Sequence, residues 1–268
     1  MARVITFLSD YGHGDDFVGV CHGVIARIAP DVRVIDITHG IPRHGVVQAA
    51  VTLRNALHFM PSGVHLAVVD PDVGGQRRAV ALQLADDRLL VGPDNGLLAL
   101  AAEDGGGVRE AVDVVRSPFR LEPVSATFQG RDLFAPVAAR LAAGAPLGEA
   151  GDPLDPDELH PLALPTPTLA AAEVVAHVLS VDRFGNATLN VSHAQLVDSR
   201  LRMGGALDVE VGGWSRPARF ARTFADVEPG ELLLYEDASR TLALAVNRGS
   251  AAEHLSLAVG GELRLRPA

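Results

Sequence analysis

The chain has 268 residues, of which 48% are hydrophobic and 21% charged, so it can bury a sizeable core and has room for two domains. Its formal net charge of -10 argues against binding to nucleic acid or to an anionic membrane surface, and no apolar run approaches the ~20 residues of a membrane span. A single cysteine, Cys21, excludes an internal disulfide, and its apolar surroundings predict a buried thiol. With no signal peptide in the first ten residues, the chain is predicted to be cytoplasmic.

The first part of the chain alternates between β-rich runs and helical patterns. Apolar strands that alternate with helices predict an α/β fold whose N-terminal sheet is mostly parallel and has helices on both faces. The runs 78–84 and 88–93 are separated only by "ADD", which predicts a β-hairpin. The alternating segments, strand first, are 3–9, 15–30, 32–38, 45–61 and 63–70.

A change of composition separates this part from the rest. Residues 144–169 contain six prolines without periodicity, which predicts a linker or an extended loop. Beyond it the chain has short β-rich runs separated by turn residues, typical of a smaller antiparallel β domain or barrel. The predicted organisation is an N-terminal α/β domain at 1–143, a Pro-rich linker at 144–169 and a C-terminal β-rich domain at 170–268.

Polar loops follow four of the N-terminal strands: "LSDYGHGDDF", "DITHGIPRHG", "VVDPDVGGQRR" and "GPDNG". Taken singly, such loops are ordinary turns and helix caps. Four at the carboxyl ends of strands favour a ligand site, because α/β sheets bind ligands there. The histidines lack a compact zinc spacing and there are no thiol ligands, so no metal is predicted. The residues alone therefore indicate an enzyme or a binding protein for a small polar ligand.

Several longer motifs occur in the order expected of one family. They are "TFLSDYGHGDDFVGVCHGVI", "DITHGIPRHGVVQAA", "VVDPDVGGQRRAV", "VGPDNGLL", "TFQGRDLFAPVAARLAAG", "DRFGNATLN" and "AVNRGSAAEHL". The chain resembles the S-adenosyl-L-methionine (SAM) hydrolases, also called SAM hydroxide adenosyltransferases, which include fluorinases and chlorinases. The resemblance implies hydrolysis of SAM to adenosine and L-methionine by attack of water or hydroxide on the ribose C5′ carbon. It also implies no cofactor and a homotrimer with the site between protomers.

The resemblance also implies which residues contact the substrate. It implies that Asp10 binds the ribose hydroxyls and that Asp182 contacts the methionine amino group. It also implies that Phe184 and Asn186 contact the adenine ring. The other implied substrate contacts are Asp15, Phe17, His44, Phe128, Gly130, Ser239, Asn247, Arg248 and Gly249.

The catalytic set implied by the family is an aspartate, an arginine and a histidine that position water. Asp70 matches the aspartate and Arg77 the arginine, with Arg78 as the alternative. The histidine position is occupied by Gln129, because the chain has "TFQGRD". Glutamine can hold a water but cannot exchange a proton near neutral pH.

Three functions remain open on this basis. In the first, the enzyme hydrolyses SAM and the uncharged Gln129 only helps to hold the water. In the second, a halide such as chloride replaces water as the nucleophile. In the third, the protein binds SAM or adenosine with little turnover. The carboxylate of Asp70 and the lack of the loop that fluorinases insert between Arg77 and Gly92 both favour water over halide.

Overall fold

The computed structural model describes residues 4–268, apart from the side chain of Asp198. The chain divides into a first unit that ends at Ala163 and a second unit, Leu164–Ala268. This boundary lies inside the Pro-rich segment, whose residues 152–154 form a strand of the first unit. The division at residues 143 and 170 stays a prediction. Between residues 4 and 268, no helix has the length and apolarity needed to cross a membrane.

One mixed sheet forms the centre of the first unit. Its strands, within residues 4–163, are β1 (Val4–Ser9), β2 (Arg33–Thr38), β3 (Val64–Val68), β4 (Ala79–Leu84), β5 (Leu89–Pro93), β6 (Val108–Asp113) and β7 (Asp152–Leu154). Their order across the sheet is β2-β1-β3-β5-β4-β6-β7. The first four in this order pair in parallel, whereas β4, β6 and β7 pair antiparallel. The sheet is thus partly rather than mostly parallel. The predicted hairpin makes β4 antiparallel to β5, and β6 and β7 continue the antiparallel pairing on the far side of β4.

Helices pack on this sheet in two separate apolar clusters. They are α1 (Phe17–Ile28), α2 (Val46–Leu57), α3 (Ala99–Asp104) and α4 (Ala135–Ala143). Ile5 and Phe7 of β1 pack with α1 and α4, whereas Leu8 packs with α2 and α3. Cys21 of α1 is fully buried, which confirms the predicted buried thiol, and burial raises its pKa to about 12.

The second unit is a barrel. Its elements are β8 (Thr168–Leu169), β9 (Val174–Val181), β10 (Ala187–Ser192), β11 (Ala206–Val211), β12 (Trp214–Phe220), β13 (Leu232–Glu236), β14 (Thr241–Val246), α5 (Ala251–Leu255) and β15 (Glu262–Pro267). Over residues 164–268, seven strands close in the order β10-β14-β13-β12-β11-β15-β9, with β9 paired back to β10 and β8 attached to β9. A β-rich second unit was predicted, but β12 and β13 pair in parallel. The long connection between them returns the chain to the same end of the barrel, as parallel pairing requires.

A π-helix, Gly130–Phe134, precedes α4 and begins directly after Gln129. Single π-helical turns are frequent at functional sites. Its first residue has no room for a side chain, because a Cβ atom on Gly130 would lie 2.0 Å from the hydroxyl oxygen of Tyr11 and 3.0 Å from Cζ of the same ring. The ring of Tyr11 is itself packed against Phe7 and Phe128, at centroid distances of 6.3 and 6.0 Å.

Gly130→Ala is therefore expected to overpack this contact and to lower the free energy of unfolding by about 1–3 kcal/mol. The measurement is the midpoint of thermal or urea unfolding. Gly23→Ala is the matched control, because Gly23 lies in α1 with open space around its Cβ position, and alanine favours a helix by up to about 1 kcal/mol. Adding Tyr11→Phe to Gly130→Ala removes the closest atom and should recover part of the loss. Equal unfolding midpoints for Gly130→Ala and Gly23→Ala would contradict this account of the packing.

Candidate active site

Asp70, Arg77 and Gln129 come together in the first unit, although the chain separates them. Asp70 follows β3, Arg77 precedes β4, and Gln129 precedes the π-helix. Nε of Arg77 donates to both carboxylate oxygens of Asp70, at 3.0 and 3.1 Å. Nη2 of Arg77 also contacts Oδ2 of Asp70 and donates to Oε1 of Gln129 at 2.6 Å. One guanidinium therefore joins the carboxylate and the amide.

The neighbouring arginine is used differently. Arg78 donates to Asp94 at 2.9 Å and to Glu158 at 3.0 Å, and these contacts raise the pKa of its guanidinium. Of the two candidates in "GGQRR", Arg77 is thus the partner of Asp70. The two adjacent arginines, which stand directly before β4, therefore have different partners.

The Arg77 guanidinium is almost enclosed. Its side chain is 9% exposed and that of Asp70 is 6% exposed. Cζ of Arg77 lies 5.5 Å from the centre of the Phe134 ring, a cation–π contact. Because arginine has only donors, the oxygen of the Gln129 amide must face it, and the amide N–H groups point elsewhere. The three side chains together offer carboxylate acceptors and neutral amide donors.

An aromatic group lies beside these polar side chains. Phe17 and Phe128, both predicted site residues, contact each other with centroids 5.0 Å apart, and Tyr11 lies 5.7 Å from Phe17. Burial raises the pKa of Tyr11 well above its usual value, and the negative charges of Asp10 and Asp70 raise it further. Tyr11 therefore stays protonated as a hydroxyl. Sequence reasoning missed it, and the only signal was its place directly after Asp10.

The loops after β1 and β2 are tied together at Asp10. Oδ2 of Asp10 accepts a hydrogen bond from the backbone N of His44 at 3.1 Å, and Gly12 N donates to His39 O at 2.8 Å. His44 has a φ of 63°, a left-handed conformation that aims its N–H at the carboxylate. Asp15 is exposed in the segment that leads into α1. Asp10 keeps acceptor sites beyond the one that His44 uses.

The second unit carries a pocket of about 760 Å³. It brings together most of the residues predicted there, and sequence reasoning missed Phe224, Val246, Ser250 and Glu253. Ser239 lies in the turn between β13 and β14, outside the lining. The amide of Asn247 donates to Val227 O at 2.8 Å, so this side chain holds the turn that precedes Arg248. The lining residues are Asp182, Phe184, Asn186, Phe224, Val246, Arg248, Gly249, Ser250 and Glu253.

The turn "DRFGN" forms one wall of this pocket and is held by Asp182. Its Oδ1 accepts from the backbone N of Phe184 at 2.8 Å and of Asn186 at 2.9 Å, and its Oδ2 accepts from Nδ2 of Asn186 at 2.8 Å. Phe184 is 65% exposed, so its ring is available for stacking. Oδ1 and one amide hydrogen of Asn186 remain for a ligand. Three acceptor sites of the Asp182 carboxylate are already used within this turn. Contact of Asp182 with the methionine amino group stays a prediction.

Comparison with known proteins assigns both units of the chain to one family. The family models for the SAM hydroxide adenosyltransferase N-terminal and C-terminal domains match residues 5–151 and 176–264. A protein of Salinispora tropica named (R)-S-adenosyl-L-methionine hydrolase is 49% identical over 261 residues, which are 97% of each chain. A fluorinase of Actinoplanes sp. (strain N902-109) is 29% identical over 294 residues, 96% of this chain and 95% of that one.

A solved structure has a fold similar to that of this chain. The crystal structure of an uncharacterized conserved protein from Thermotoga maritima has a TM-score of 0.90 and 38% identity, and the match covers 98% of this chain and 99% of that chain. With both family models matched and a relative at 49% identity over nearly the whole length, this chain belongs to the SAM hydroxide adenosyltransferase family.

Proposed function

We propose that this protein hydrolyses SAM, as its (R)-epimer, to adenosine and L-methionine, with water or hydroxide attacking the ribose C5′ carbon in line with the sulfonium. The observation that carries the proposal is the Asp70–Arg77–Gln129 contact set. The named relative, an (R)-SAM hydrolase, supports the choice of substrate. In the sheet of the first unit, Ile5 and Phe7 pack with α1 and α4, whereas Leu8 packs with α2 and α3. This arrangement supports helices on both faces of that sheet.

The chemistry asks little of the protein beyond placement. A sulfonium is already a good leaving group, so neither a strong acid nor a cofactor is needed for methionine to depart. The enzyme must hold one water near C5′ and remove the others. Among the three contacting side chains only Asp70 can accept a proton, while the amide of Gln129 can donate a hydrogen bond to the water oxygen. Arg77 fixes the positions of both.

The residues around this set divide the remaining work. Asp10 offers a carboxylate to the two ribose hydroxyls. Phe128 and Phe17 form an apolar wall that excludes water from the reacting carbon, and Tyr11 completes it. In the second unit, Phe184 and Asn186 bind adenine by stacking and by amide hydrogen bonds, with Arg248 and Gly249 closing the pocket. The family resemblance implies substrate contacts for five further residues, which are Asp15, His44, Gly130, Ser239 and Asn247.

Halide use is the second candidate, because fluorinases are relatives of this chain. The carboxylate of Asp70 opposes it, since an anion beside a halide is repelled in a site of low dielectric constant. Binding without turnover is the third candidate and rests on the neutral side chain of Gln129. Product identity separates the three functions.

Wild-type protein is expected to release adenosine and methionine from SAM at the same rate with and without chloride, as identified by mass. Asp70→Asn should lower kcat by about 10²–10⁴-fold while SAM affinity changes little, because the substitution removes the proton acceptor and keeps the size. Asp72→Asn is the matched control, two residues away and exposed, and should retain wild-type turnover. A chlorinated adenosine product would establish the halogenase, and full activity in Asp70→Asn would remove this residue from the mechanism.

The glutamine can be tested by restoring the histidine of the family. In Gln129→His, a neutral imidazole can accept from Arg77 and take a proton, whereas an imidazolium can do neither. The rate should therefore rise with pH through the histidine pKa, normally ~6.5, and exceed that of wild type above it. The change should appear in kcat more than in KM.

Gln76→His serves as the control for this substitution, because Gln76 is exposed in the loop before Arg77 and its variant should show the wild-type pH profile. A Gln129→His variant much slower than wild type at every pH would mean that the glutamine is itself adapted to the reaction.

We further propose a homotrimer in which the first unit of one protomer and the second unit of its neighbour share each site. Each unit alone carries only part of the expected residue set, which supports sharing. Multi-angle light scattering at micromolar concentration is expected to give three chain masses. A monomer that binds SAM tightly under the same conditions would refute this assembly.

A further inference from the structure

Two histidines and an aspartate meet at the edge of the first sheet, and none of the three is a proposed SAM contact. His22 comes from α1, Asp36 from the edge strand β2, and His39 from the loop after β2. Oδ1 of Asp36 lies 2.9 Å from Nε2 of His22 and 3.1 Å from Nε2 of His39. One ligand atom from each residue lies within 4.8 Å of the other two. Neither histidine nor the aspartate is needed for the proposed hydrolysis.

His39 is the member that points to a ligand. Its side chain is fully buried, and its Nδ1 lies 2.8 Å from the hydroxyl of Ser9. The tautomer that can bind a metal through Nε2 carries its proton on Nδ1, where Ser9 can accept it, and directs the Nε2 lone pair toward Asp36 and His22. Among the residues that the structure describes, this buried Nε2 makes no well-aligned hydrogen bond, although Oδ1 of Asp36 lies 3.1 Å from it. A buried nitrogen without a partner is uncommon in folded proteins.

The distances fit a metal ion of the zinc type. Around a tetrahedral Zn²⁺ with ligands at 2.0–2.1 Å, neighbouring ligand atoms are about 3.3 Å apart. The observed separations from Asp36 are 2.9 and 3.1 Å, so small outward rotations of these side chains would admit the ion. Two imidazoles and one carboxylate suit Zn²⁺ and disfavour Mg²⁺, which prefers oxygen ligands and water. His22 and Asp36 are 35% and 38% exposed, which leaves an entry path and room for a water ligand.

We propose that His22, Asp36 and His39 form a binding site for a zinc-type divalent cation. The Ser9 hydroxyl holds the His39 ring through Nδ1, as hydrogen-bond partners of metal-bound histidines commonly do. The ion would connect α1, β2 and the following loop. This loop also holds the segment after Asp10, through the hydrogen bond from Gly12 N to His39 O at 2.8 Å.

The test is calorimetric titration of untagged, chelator-treated full-length protein with ZnCl₂. We expect one ion per chain in addition to any weak surface binding, and a rise of several degrees in the unfolding midpoint with one equivalent of zinc. The same concentration of MgCl₂ should give neither effect. Co²⁺ should show the visible absorption of a four-coordinate site without a thiolate charge-transfer band, because the only cysteine is buried in the core.

Variants assign the site to its residues. His22→Ala and Asp36→Asn each remove one ligand from a partly exposed position and should weaken zinc binding by at least about tenfold. His58→Ala is the control, since His58 is an exposed histidine 3.2 Å from Asp104, and its variant should bind like wild type. His39→Ala is left out of the decisive set because its burial puts folding at risk. Absence of a one-to-one zinc complex in wild type, or unchanged binding in both ligand variants, would overturn the proposal.

Discussion

The Arg77 guanidinium is the constraint on which the first unit's site depends. It is 9% exposed and therefore has to be paired, because a buried charge without partners is strongly destabilising. Asp70 supplies the countercharge, Gln129 the second acceptor, and the ring of Phe134 the face beneath it. These partners belong to the end of β3, the π-helix and the residue before that helix. One cation thus joins two chain segments, 70–77 and 129–134, that are far apart in sequence.

This arrangement also explains why a neutral amide is compatible with the site. Asp70 and Arg77 together carry no net charge, and the amide oxygen of Gln129 accepts a further hydrogen bond from Arg77 without adding a charge. A protonated histidine in the same place would leave two cations beside one carboxylate in a nearly closed environment. The glutamine therefore keeps the net charge of this contact set constant over a wide pH range.

In the second unit, Asp182 holds the turn that carries Phe184, and the exposed ring of Phe184 offers a flat surface on which another ring can stack.

Much of the architecture followed from the pattern of apolar residues, and the candidate site residues were predicted from motifs. Alternation of strands and helices located α1 and α2, and the short "ADD" turn located the β4–β5 hairpin. Spacing favoured Arg77 over Arg78, and in the structure Arg77 contacts Asp70 whereas Arg78 contacts Asp94. Spacing could not reveal Tyr11, since an aromatic residue beside an aspartate is ordinary until the fold sets it against Gly130.

Other features depended on contacts that no local pattern encodes. The side chains of His22 and His39 meet only because α1 packs beside the edge strand, and 17 residues separate them in the chain. The acceptors of Asp182 are taken up by its own turn, which composition cannot show. The parallel pairing of β12 with β13 depends on where a long connection returns.

The strand order of the barrel has a consequence for how the protein is made. β15 lies between β11 and β9, so the second unit's last strand fills the gap between two strands that are synthesised much earlier. Until Glu262–Pro267 has left the ribosome, the sheet from β11 through β14 to β10 and β9 is open and exposes two unpaired edges. Closure then requires contacts between segments roughly 90 residues apart, a type of contact that slows folding. The first unit can assemble during translation, whereas the barrel of the second closes only after Glu262–Pro267 has been synthesised.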